Sequence, residues 1–188
     1  MEQVQELATD PSYLQSTRDG LISELKNIVK SVPEGLQSPA FKVLAVRDAF
    51  EVRRYEQYSV CKMDEGKGAG VVNQGNSFNA LAEYIFGPGN VDSMEMAMTT
   101  PVIMEDSGAM SFVLSDGITA DTAPIPKNMN INLCDVAAET VAYREFSGIA
   151  TQTEVDKQRR VLVAALQRDG LSFDADSMKV LQYNPPYT

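Results

Sequence analysis

The chain has 188 residues, 44% of them hydrophobic, a length that suits one domain and buries a substantial core without disulfides or structural metal. Its formal charge of −10, from 26 acidic against 16 basic residues, argues against a nucleic-acid backbone or an anionic membrane surface as partner. There is no histidine, which removes Ser-His and Cys-His nucleophile pairs, an imidazole base and His metal ligands.

No apolar run reaches membrane-spanning length, so no transmembrane segment is expected. The start, Met1-Glu-Gln-Val-Gln-Glu-Leu7, lacks the charged and apolar regions of a secretory signal. Cys61 and Cys134 are far apart with no Cys-x-x-Cys pair, a usage that fits a reducing compartment.

Leu21, Ile22, Leu25, Ile28 and Val29 recur at the helical period, predicting an amphipathic helix that ends before Pro33. Such a helix either packs on the main domain or binds a protein partner. Ser31-Val-Pro-Glu-Gly-Leu-Gln-Ser-Pro39 reads as a linker. Extended segments are expected over 41–46 and 50–55, around the turn Arg47-Asp48, and over 58–63. Gly66-Lys-Gly-Ala-Gly70 is a flexible loop without the spacing of a nucleotide cradle.

A helix is predicted over 77–86, capped by Asn76 or Ser77 and ended by Gly87-Pro88, with Phe78, Leu81, Ala82 and Ile85 on one apolar face. Strands follow over 94–104 and 110–115. Alternation along the first of them would put Met94, Met96 and Met98 on one side, as irregular core or as the face of a flat apolar ligand. After Pro124-Ile-Pro126 come strands over 131–135 and 140–146. The capping box Thr151-Gln-Thr-Glu154 then opens a helix with core face Val155, Leu162, Ala165 and Leu166, stopped by Asp169-Gly170. A last strand over 178–183 runs into Asn184-Pro-Pro-Tyr187. Strand pairs interspersed with helices, without regular βαβ crossovers, predict an α+β fold with an antiparallel sheet or open barrel covered by two helices.

Seven motifs occur in order: Phe41-Lys-Val-Leu44, Phe50-Glu-Val-Arg-Arg-Tyr-Glu56, Phe78-Asn-Ala-Leu-Ala-Glu-Tyr-Ile-Phe-Gly87, Met96-Ala-Met-Thr-Thr-Pro-Val102, Met110-Ser-Phe-Val-Leu114, Phe146-Ser-Gly148 and Tyr183-Asn-Pro-Pro186. Together they resemble the SOUL haem-binding protein family, most nearly its plant and algal plastid branch. The resemblance implies a duplicated βαβ-type unit forming a distorted antiparallel β-barrel flanked by two long helices. It divides the chain into an N-terminal helical extension and linker, 1–38, and a haem-binding domain, 39–188. Relatives continue past the Tyr-x-Pro-Pro element into a return strand, which this sequence lacks. Localisation in the chloroplast follows from the branch, although the acidic start is unlike a transit peptide; the alternative is cytoplasmic.

The resemblance also implies a haem or other tetrapyrrole ligand, bound non-covalently between the first long helix and the loop after the last motif. By position its contacts are Phe78, Leu81, Ala82, Ile85, Asn184, Pro185, Pro186 and Tyr187. Some relatives carry methionines where this chain has Phe78 and Ala82, and the histidine axial ligand of one member cannot exist here. Cys61, Met63 and Tyr187 are the candidate iron donors, and Arg53, Arg54, Lys62, Lys67 and Lys179 the candidate propionate partners. The resulting expectation is a protein that buffers or carries a tetrapyrrole without dedicated catalytic machinery. The alternatives are an interaction or scaffold module with a decayed pigment site, and a haem-modifying enzyme using Glu83, Glu95, Tyr84 or Tyr143 for iron removal or breakdown.

Overall fold

A computed structural model describes residues 35–64 and 75–183. The predicted helix over 21–30, the 66–70 loop and the segment 184–187 lie outside the described residues. Within them the order is β1 (Phe41–Val46), β2 (Glu51–Tyr55), β3 (Tyr58–Asp64), α1 (Gly75–Ile85), β4 (Val102–Glu105), β5 (Ala109–Val113), β6 (Ile131–Val136), β7 (Thr140–Tyr143), α2 (Gln152–Arg168) and β8 (Lys179–Gln182).

The expected α+β class is observed, and its strands form two antiparallel sheets, β1-β2-β7 and β6-β3-β5-β4-β8. Strand alternation decides what each face meets. On β3, Cys61 turns toward α1, where it joins Leu81, Tyr84, Ile85, Met96, Met104, Met110 and Phe112 in one core. Its neighbour Val60 turns the other way, packing with Ile103, Val113, Tyr58 and Leu181. On the smaller sheet, Val52 and Ala142 meet Leu162, Ala165 and Leu166 of α2. Arg53, Tyr55 and Tyr143 occupy the opposite face, and Tyr55 reaches Tyr58 of the larger sheet, ring centroids 6.5 Å apart. The layers therefore run α2, small sheet, large sheet, α1.

Two expectations need correcting. Helix α1 begins at Gly75, so Asn76 and Ser77 lie within its first turn and neither caps it; Ser77 is fully buried. Nor do residues 94–98 form a strand. Asn90 supplies the hydrogen bonds that a strand partner would: its side-chain nitrogen donates to the carbonyls of Tyr84 (3.0 Å) and Met94 (2.8 Å), and its oxygen accepts from the Met94 amide (2.9 Å). The Met96 amide then donates to the Ile85 carbonyl at 2.8 Å. This chain wraps the C-terminal end of α1, leaving Met94 exposed while Met96 and Met98 fill the core. Strand β4 begins only at Val102, after Thr99 has paired with Gln37.

Helix α2 starts as the sequence predicts. The Thr151 hydroxyl accepts from the Glu154 amide at 3.3 Å. The reciprocal half of the capping box is absent: the Glu154 carboxylate takes Gln158 (2.6 Å) and Lys157 (3.3 Å) instead. Gly170, at φ 68°, closes the C-terminus in the left-handed conformation that glycine adopts without strain.

Candidate functional site

The strand order leaves β7 and β8 as edges, one on each sheet. Both line a cleft of about 990 Å³ that wraps the free edge of β8 and is floored on one side by α2. That volume is at the upper end of small-molecule and cofactor sites, which run from roughly 300 to 1,000 Å³. On the α1 side its wall is Phe78, Met104 and Met110; between the sheets it is Ile103, Leu181 and four tyrosines, Tyr55, Tyr58, Tyr143 and Tyr183.

Behind the tyrosines lies Arg53, only 2% exposed. Its Nε donates to the Glu51 carboxylate at 2.7 Å, and its guanidinium lies 4.5 Å from the Phe41 ring centre and 3.4 Å from that of Tyr143. Both faces of the cation and its counter-charge are thereby engaged, and the side chain is a structural strut. Burial pushes Tyr143 up to about 12 even though Arg53 opposes the shift, and it raises Tyr58 and Tyr183 as well. At neutral pH these three are phenols, able to donate and accept hydrogen bonds.

The predicted helix contacts divide. Leu81 (0% exposed) and Ile85 (2%) are inside the α1 core, and Ala82 is half-buried against it. Phe78 is different: 42% exposed, it stands on the cleft wall with its ring at 65° to Phe112 and 5.3 Å away. The loop contacts Asn184, Pro185, Pro186 and Tyr187 lie outside the described residues, as does Lys67. Among candidate propionate partners, Lys62 bonds both oxygens of Glu105 at 2.9 Å, Lys179 reaches Glu139 at 3.2 Å and Arg54 donates to Thr140.

Candidate iron donors fare no better. Cys61 is fully buried, its thiol donating to the Phe112 carbonyl at 3.7 Å and pushed up to about 12 by burial. Met63 packs against the α1 core. No metal-holding group of three or more His, Cys, Asp or Glu occurs among the described residues. Of the acid–base candidates, Glu83 and Glu95 are exposed, while the buried Tyr84 hydroxyl donates to the Pro124 carbonyl at 2.8 Å. The apolar part of the cleft wall fits a ligand held by shape and hydrogen bonds.

Sequence reading named Tyr143 but missed its company. Tyr55, Tyr58 and Tyr183 are scattered along the chain, and the sheet pairing collects them. The available signal was Arg53-x-Tyr55, two large groups on one strand face, in a strand pairing with the Val141-x-Tyr143 stretch.

A family model for the SOUL heme-binding protein matches residues 36–188. The chain belongs to the SOUL family. No curated protein gave a significant match. Membership makes the protein a haem- or tetrapyrrole-binding one in class. No helix among the described residues is long and apolar enough to cross a membrane.

Proposed function

We propose that this SOUL-family protein buffers or carries haem or a related tetrapyrrole, held non-covalently in the cleft along β8, and that it performs no chemistry on it. The observation that carries the reading is Phe78, a large aromatic ring left half-exposed on an apolar wall of sufficient size. A macrocycle there would stack on Phe78, and Ala82, Asn184, Pro185, Pro186 and Tyr187 remain its further proposed contacts. Leu81 and Ile85 would support the wall from within the core. In this reading shape and polar contacts hold the ligand rather than iron ligation; of the candidate donors, Cys61 and Met63 are packed in the α1 core, and Tyr187 lies outside the described residues. The two sheets act as walls of a distorted barrel, built from a duplicated unit, that is open between β7 and β8.

The wider proposal has residues 1–38 as an extension whose amphipathic helix recruits a protein partner, ahead of a ligand-binding domain over 39–188. It assigns the protein to the chloroplast, with the cytoplasm as alternative. An interaction-module reading draws support from a separate feature, the exposed apolar side chains of Val91, Ile125 and Met129, the last 95% exposed.

Absorption titration with haem and with metal-free protoporphyrin tests the central claim. Similar micromolar affinities are expected for both. Absence of a Soret shift and of fluorescence quenching would reject ligand binding, and strong dependence on iron would reject the account of how it binds.

A further inference from the structure

Around the C-terminal end of α1 the described residues leave Phe86, Val91, Met94 and Ile125 in solvent, Val91 at 57% exposure and Ile125 at 68%. These side chains are neighbours. The Val91 amide donates to the Ile125 carbonyl at 2.9 Å beside an antiparallel bridge of Asn90 with Pro126. Val91 and Ile125 thus stand opposite one another and project to the same face. The Met94 amide is tied to the Asn90 side chain at 2.9 Å. A Cβ on Gly87 would lie 3.1 Å from the Ser93 carbonyl oxygen, a close approach that Phe86 and Met94 flank. Exposed carboxylates adjoin the patch: Asp92 beside Val91, Glu95 beside Met94, and Glu83 one helical turn before Phe86. The nearby Lys127 ammonium donates to the Pro88 carbonyl at 2.9 Å.

A contiguous apolar patch with an acidic border calls for an apolar partner that brings positive charge. The way the chain enters the domain points to one. Gln37 forms a parallel bridge with Thr99, its carbonyl accepts from the Thr100 amide at 2.8 Å, and its side chain accepts from the Asp116 amide at 3.0 Å. Parallel neighbours run in the same direction. Traced backwards from Gln37, the chain therefore heads along 99 to 94, toward Met94. Residues 31–36 can span about 20 Å, and the five steps from Thr99 to Met94 cover at most about 17 Å. The stretch before them is the predicted helix, with its stripe of Leu21, Ile22, Leu25, Ile28 and Val29. Lys26 borders that stripe, with Lys30 one turn on, against a single Glu24 on the other side. A second copy of the chain fits less well, since it would bring like carboxylates face to face.

We propose that residues 21–30 dock in cis on the patch at the end of α1, the apolar stripe against Phe86, Val91, Met94 and Ile125, and Lys26 beside the acidic border. The inference goes beyond the tetrapyrrole reading and does not depend on it. It gives the extension a resting place on the domain. Recruitment of a protein partner through the same helix then requires its release from this surface, so the patch and the partner compete for one stripe.

Hydrogen exchange read by mass spectrometry on the full chain tests this, because the Val91 and Met94 amides are hydrogen-bonded and report local opening. The double variant Leu25→Asp with Ile28→Asp should speed exchange across 86–95 by about tenfold, the factor for uncovering one valine-sized side chain, and leave α2 unchanged. The reciprocal variant, Val91→Asp with Ile125→Asp, should speed exchange across 21–30 to a similar degree. Should the patch variant also melt earlier, the extension variant decides, since it alters no described residue. Unchanged exchange across 86–95 in Leu25→Asp with Ile28→Asp overturns the proposal. Protection of 86–95 that fades on dilution of the unaltered protein also overturns it, and assigns the patch to a second copy.

Discussion

The guanidinium of Arg53 stands 3.4 Å from the centre of the Tyr143 ring, a cation laid on an aromatic face within the protein. Phe41 covers it from another side at 4.5 Å and Glu51 neutralises it. Replacing Arg53 by Ala removes the stacking, strands Glu51 and opens a void between the sheets. Chemical denaturation should register a loss of about 3 kcal/mol, the scale of a broken buried pair. Arg53→Lys should recover only part of it, because an ammonium cannot lie flat between rings. Full recovery with Lys would mean that charge alone matters there.

Phe78 separates stability from binding. Its exposure and its single described ring partner, Phe112, limit its structural value, so Phe78→Ala should cost about 1 kcal/mol in unfolding free energy. If the cleft wall holds the macrocycle, the same variant should weaken porphyrin affinity by about tenfold or more. Leu81→Ala should do the reverse: it empties the core at a cost of about 3 kcal/mol and touches binding only through the fold. An unchanged affinity in Phe78→Ala would move the ligand elsewhere.

Alkaline pH should unfold the protein in a defined window. Burial holds Tyr143 and Tyr84 up to about 12, above the ordinary phenol value of 10.0. Between those values the unfolded chain releases protons that the folded one retains, so stability is intact below pH 10 and falls as pH rises toward 12. Each such tyrosine withdraws about 1.4 kcal/mol per pH unit across the window. Tyrosinate absorbance should therefore rise together with loss of structure, and separate transitions would contradict the burial.

Gly89 is required by a close approach of backbones. A Cβ on it would lie 2.6 Å from the Tyr84 nitrogen and 2.8 Å from the Glu83 carbonyl carbon, atoms that belong to α1 and cannot swing aside. Gly89→Ala should destabilise by about 3 kcal/mol, measured as a lowered denaturation midpoint, through strain between α1 and the 87–96 wrap.

How far the sequence could be read depended on whether a signal was local. Strand β1 and the Thr151 cap rest on alternation and on one side chain meeting an amide three residues away, and both appear where expected. The methionine run has equally regular alternation, yet Asn90 holds it off any sheet through bonds to both α1 and Met94. No periodicity reports such a bond. The site divides in the same way. An apolar helix face was legible, but the pattern alone could not say that Leu81 and Ile85 belong to the core while Phe78 is left at the surface. The tyrosine cluster depends on β2 pairing with β7 across some ninety residues and on β8 closing beside them.

The Lys179–Glu139 pair ties β8 to the start of β7 at 3.2 Å, with about a third of each side chain in water. Attraction of that kind weakens as electrolyte is added, since mobile ions at physiological strength screen charges beyond about 8 Å and attenuate wet contacts at shorter range. The join between these two strands is thus sensitive to salt. If the proposed cleft carries a tetrapyrrole, stopped-flow association and dissociation rates should rise together with ionic strength, while the equilibrium affinity set by apolar contact changes far less.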